Sequence, residues 1–133
     1  MGAWSHEPFG NDTSCDWKYD LEEYSDLRFL EQTIDKALSA DQDYLEASEG
    51  EEAIAAVEVI AKILGRGTQS DAYTADVDNW VKNIGLKPSS ELIAKANKVL
   101  ILVMSDKSEL VELWEGQDKW KRTIEKLTEA INA

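Results

Sequence analysis

His6 is the single histidine of the 133-residue chain, and Asp12 and Asp16 follow it closely. An imidazole among carboxylates suits a general base or a metal ligand. Zinc asks for more, and no second imidazole or thiolate pair is at hand, so His6 is expected at the surface or in a cap. Cys15 is the single cysteine. A nucleophilic thiol needs a lowered pKa. The first turns of a predicted helix favour that and the neighbouring acids oppose it, so a partly buried structural cysteine is expected. One cysteine also excludes an intramolecular disulfide framework.

The segment DQDYLEASEGEE can be laid on the twelve-residue calcium loop. Asp41, Asp43, Glu49 and Glu52 then take its first, third, ninth and twelfth places. Leu45 and Glu46 take the fifth and sixth, where a ligand and a turn-making glycine are required. The segment is therefore read as solvated or protein-facing acid. GRGTQSD has neither the lysine of a phosphate loop nor dinucleotide-binding spacing, and no G-x-S-x-G elbow occurs. Trp114 and Trp120 lie near Lys119, Lys121 and Arg122, but also near Glu112, Glu115 and Asp118. Their helical spacing reads as core. No catalytic set, cofactor or metal is expected from these residues.

Charge is the stronger signal. The net charge is −13. Residues 1–60 hold 16 acids and 3 bases, and residues 61–133 hold 11 of each, so the whole imbalance lies in the first half. Phosphate binding needs clustered lysine and arginine, which argues against nucleic acid. An anionic membrane surface is equally unsuited. The natural counterpart is a basic protein or a cation, although acidity also serves solubility alone. The longest uncharged apolar run, Val99 to Met104, is far short of the roughly 20 residues that span a bilayer. The opening lacks the basic start and apolar stretch of a leader and fails the myristoylation pattern. A cytoplasmic protein is expected.

The elements that position these residues read as helices. Asn11 or Asp12 caps a first one over Thr13 to Tyr24. Ser25 caps a second carrying Leu27, Leu30, Ile34, Ala37 and Leu38. Ser48 with Glu51 makes a capping box ahead of a stripe of Ile54, Val57, Ile60, Ala61 and Leu64, stopped by Gly65. Val77, Trp80, Val81 and Ile84 mark a short helix ended by Gly85. Pro88-Ser89-Ser90 opens the next, which is apolar nearly all round in its second half and is therefore placed centrally. Asp106 with Glu109 offers another cap. After Gly116, Trp120, Ile124, Leu127 and Ile131 form a last amphipathic helix. The expectation is one all-α domain over residues 1–133, a bundle of six or seven helices with residues 1–10 as an extended arm packed on it.

That arm reads MGAWSHEPFGNDTSCDW at its junction with the first helix. Trp4, Phe9 and Trp17 are spaced too irregularly for one helix. An arm can tuck Trp4 and Phe9 into the bundle, with Gly10 allowing the turn. Gly2, Trp4, Phe9, Asn11, Asp12, Asp16 and Trp17 also carry a resemblance. The opening resembles that of a family of small bacterial proteins of unknown function, which begin MGAWG or MGTWG and continue F-x-N-D and then D-W or D-F. Ser5 and Glu7 depart from that pattern. Small acidic bacterial proteins of this kind are often immunity proteins, which neutralise a toxin by binding it, and the resemblance implies that role as a candidate.

Three readings follow. The first is a non-enzymatic acidic binding module, of the immunity type, that occludes a basic partner through Asp35, Asp41, Asp43, Glu46, Glu49, Glu51 and Glu52. The second is a small hydrolase or metal-dependent enzyme with His6, Asn11, Asp12 and Asp16 at one pocket. The third is an interaction subunit whose apolar helices pair in a homodimer.

Overall fold

The computed structural model describes residues 3–40 and 43–133. Seven α-helices account for most of them: α1 (Asp12–Leu21), α2 (Arg28–Leu38), α3 (Ala47–Ile63), α4 (Ala75–Ile84), α5 (Ser90–Val103), α6 (Glu109–Leu113) and α7 (Asp118–Asn132). A single 3-10 turn, Ala72–Thr74, precedes α4. The described residues hold no strand, only isolated bridges between Ala3 and Asn11 and between Leu45 and Ser108.

The bundle is built around α3, which touches all six other helices. Its middle reads AIAAVEVIA, and Ala53, Ala55, Ala56, Val57, Val59, Ile60 and Ala61 are wholly buried. Alanines and branched residues are interleaved around it, so neighbouring helices pack closely on every side. The central helix is thus α3, a correction to the placement of α5. The second half of α5 is apolar all round, yet Ile101 is 72% exposed. Its inner face, Leu92, Ala96, Val99 and Val103, meets α2, α3 and α7.

Local chemistry sets most boundaries. The Asn11 side chain accepts from Ser14 N–H at 2.8 Å and starts α1. Ser89 does the same for Leu92 N–H at 3.0 Å and starts α5. Past the end of α3, Gly65 takes φ +81°, and Arg66 N–H bonds back to the Ala61 carbonyl at 2.8 Å. That left-handed closure is open to glycine without strain. Gly85 and Gly116 end α4 and α6 with φ values of +65° and +78°.

Three expected caps are corrected. Ser25 caps nothing; Asp26 receives the Arg28 N–H at 3.0 Å, and α1 stops at Leu21. The box at the start of α3 is formed by Glu46 and Glu49, two residues before Ser48 and Glu51. Asp106 does not cap α6; Ser108 occupies that place, and the Glu109 carboxylate crosses to the first N–H of α3, Ala47, at 2.7 Å.

Candidate functional site

The N-terminal segment closes on itself before it meets the bundle. Trp4 and Ser5 N–H both donate to the Gly10 carbonyl, at 2.9 and 3.2 Å, and Gly10 N–H donates to the Glu7 carbonyl at 3.0 Å. A side chain on Gly10 would lie 2.1 Å from Ser5 Oγ and 2.9 Å from the Ser5 carbonyl, so the loop is this tight because residue 10 has none. Only one aromatic can point inward from so compact a loop. Phe9 is fully buried, with its N–H on Gln69 Oε1 at 2.8 Å, and packs near Trp17. Trp17 stacks on Phe29 and donates its indole N–H to Thr33 at 2.9 Å. The expectation that Trp4 is tucked inside is corrected: it is 47% exposed and leans on Tyr73.

His6 meets α7, 2.8 Å from Thr123 Oγ1. The same Thr123 hydroxyl lies 3.1 Å from the Lys119 carbonyl. His6 and Asn11 share a cavity of about 10 Å³ with Glu51, Trp114 and Trp120. Such a space holds a water molecule at most. Asp12 and Asp16 do not line it; they are exposed on the outer side of α1. The four residues of the enzyme reading are therefore split between a cavity and an open face. Cys15 is partly buried, its thiol pushed up chiefly by burial, with Lys18 opposing and Asp12, Asp16 and Asp71 adding.

The open face is acidic. Asp12, Asp16 and Asp20 stand at four-residue intervals along α1, all exposed, with Tyr19 beside them and Glu22 and Glu23 just past the helix end. The α1 helix lies against α3, tied by Ser14 Oγ to the Glu51 carbonyl at 3.2 Å. The first turns of α3 add Glu49, Glu51 and Glu52. The carboxylates reach one another electrostatically. Burial raises the Glu51 pKa above its usual range; a Thr13 hydrogen bond opposes this, and Glu109 and Asp12 add to it. Burial likewise raises Glu52; Lys36 pulls it back, and Glu49 and Asp20 push it up. Acids of α1, α3 and α6 thus lie within electrostatic reach of one another.

The other acids of the binding reading fall differently. Glu46 and Asp43 are exposed close to this face in the chain. Asp35 lies on α2 and is paired, with Glu31, to Lys95 at 3.1 and 2.9 Å. Glu52 is half-buried and 3.7 Å from Lys36. Asp41 and Gly2 lie outside the described residues. The calcium-loop alignment fails, since Glu49 and Glu52 belong to a helix that begins at Ala47. Among the described residues no group of three or more His, Cys, Asp or Glu side chains is arranged to hold a metal ion. None of the described helices is long and apolar enough to cross a membrane.

Two features escaped the sequence reading. Asp20, Glu22 and Glu23 extend the acidic stripe, and the four-residue spacing from Asp12 was a legible signal. Glu58 is wholly buried in α3. It accepts from Thr68 N–H at 2.9 Å, Thr68 Oγ1 at 2.7 Å and Gln69 N–H at 2.8 Å, and lies 3.7 Å from Lys62. Lys62 also bonds Asp78 at 2.6 Å and the Gln69 carbonyl. Gln69 in turn holds Phe9, so this buried network fastens the N-terminal loop. A glutamate inside AIAAVEVIAK, four residues before a lysine, was its signal.

No curated protein and no solved structure matches the chain. One family model does, over residues 2–124, which is nearly the whole chain. The protein is therefore a member of the family described as Domain of unknown function (DUF4259).

Proposed function

We propose that the protein is a non-enzymatic binding module that occludes a basic protein partner, in the manner of an immunity protein. The observation that carries this reading is the acidic face shared by α1, the start of α3 and Glu109. Of its members, Asp12, Asp16 and Asp20 have no ion pair with a described residue. A folded domain gains nothing in stability from gathering like charges, whereas a lysine- and arginine-rich partner gains both approach speed and register. The cavity beside His6 holds a water molecule at most.

The test compares two baits in source-cell lysate: the native chain and a variant with lysine at positions 12, 16, 20 and 49. The native chain is expected to retain a basic protein that the variant loses. That retention is expected to weaken as ionic strength carries the screening length below about 10 Å. Identical captures by both baits would remove the reading.

A further inference from the structure

Next to the acidic face lies an open groove of about 580 Å³ between the N-terminal loop, α3 and α6. Its apolar walls are Ala47, Leu113 and Trp114, and its polar walls are Glu51 and Glu109. Leu113 is 63% exposed, a large apolar side chain left in water at the end of α6. Trp114 is held in place from behind by Trp120, the two rings nearly parallel at 3° and 6.4 Å apart.

Resting on the binding reading above, we propose that this groove is the anchor site for one lysine or arginine side chain of the basic partner, with an apolar neighbour covering Leu113. The charge of the groove selects the occupant. A long basic side chain carries an apolar stem and a cationic head, and the groove sets a tryptophan and a leucine beside two carboxylates. Neither Glu51 nor Glu109 has an ion pair with a described residue. Glu109 is positioned before any partner arrives. The Glu109 carboxylate is fixed by Ala47 N–H at 2.7 Å, which occupies Oε1 and leaves the other oxygen to a ligand. Groups fixed in advance lose little freedom on binding. The face of a tryptophan at such a site also attracts a cation directly. Burial chiefly raises the Glu51 pKa, and Glu109 and Asp12 add to it; an arriving cation relieves that repulsion.

The probe is a set of three blocked tripeptides, Leu-Lys-Leu, Leu-norleucine-Leu and Leu-Glu-Leu, titrated into the full-length protein. The readouts are the Trp114 indole and Leu113 methyl NMR signals, the former assigned through Trp114→Phe. The lysine peptide is expected to move both signals and to lower the Glu51 side-chain pKa, while the glutamate peptide moves neither. The double variant Glu51→Gln with Glu109→Gln is expected to bind the lysine peptide about fivefold more weakly. Leu113→Ser, a change on the exposed side of α6 that leaves the core intact, weakens it as well. Equal binding of the norleucine peptide would overturn the proposal, as would shifts confined to α1. If Trp114 stays still while the native bait retains its charge-dependent partner, the groove assignment fails alone. If that capture fails too, the binding reading fails with it.

Discussion

Replacing Glu58 with alanine tests the buried network that fastens the N-terminal loop. The substitution removes the acceptor of three donors, Thr68 N–H, Thr68 Oγ1 and Gln69 N–H. A stranded buried donor costs roughly 1–3 kcal/mol, and stripping one partner from a buried ion pair costs roughly 3–5 kcal/mol. The two overlap here. Lys62 keeps Asp78 at 2.6 Å, and the hydroxyl of Thr68 can turn to water. We set the expected loss at about 4 kcal/mol, a large part of the roughly 5–15 kcal/mol that holds a domain folded. Urea unfolding followed by circular dichroism and by tryptophan emission measures it. Glu58→Gln adds a test by pH. Burial, the largest influence, raises the Glu58 pKa above its ordinary 4.5, against Thr68, Gln69 and Lys62, which lower it. The folded chain therefore holds this proton more tightly than the unfolded one. The stability so contributed is complete below the ordinary carboxylate pKa and is lost as pH rises through the folded value. The gap between native and Glu58→Gln is thus widest in acid and narrows upward. A loss below about 1 kcal/mol in Glu58→Ala, the size of one ordinary hydrogen bond, would refute the reasoning. So would a gap that widens with pH.

Phe9→Ala empties a fully buried site and is expected to lose roughly 3–5 kcal/mol in urea unfolding, with early proteolytic release of the N-terminal loop as a second sign. Glu51→Gln is expected to raise the melting temperature at neutral pH. The Glu51 pKa is raised by burial and by Glu109 and Asp12, so its ionised form weighs against the fold, and the gain disappears below the ordinary carboxylate range. Gly65→Ala places a side chain at φ +81° with no atom within 4 Å, so strain alone acts; calorimetry should show a loss of about 1 kcal/mol.

What the sequence disclosed was whatever depends on residues three or four apart. Asn11, Ser89, Gly65 and Gly85 act on their own helices, and each stands where it was expected. The helical reading of Val99–Met104 and the amphipathic last helix rest on the same short-range logic. Contacts made across the chain were hidden. The box at Ser48 is displaced because Glu109, 62 residues away, supplies the acceptor for Ala47. The α5 helix looked central from its apolar circumference, but small residues, not large ones, let α3 take that place. Trp4 looked buried because its loop was imagined extended; two hydrogen bonds to the Gly10 carbonyl fold it outward. The acidic bias was plain in the composition. Its concentration on α1 and the first turns of α3 emerged only when those helices were set side by side.

The docking of the N-terminal loop bears on biosynthesis. Phe9 is held by Gln69, 60 positions later, and His6 by Thr123, 117 positions later. This segment is therefore made well before the groups that hold it. At roughly 5–20 residues per second, translation takes roughly 6–23 seconds to pass from Phe9 to Thr123. Through about the first half of that interval Phe9 lacks Gln69, and through all of it His6 lacks Thr123. The acidic residues that follow this segment, from Asp12 to Glu23, travel with it as a charged escort, keeping nascent chains apart until α7 arrives.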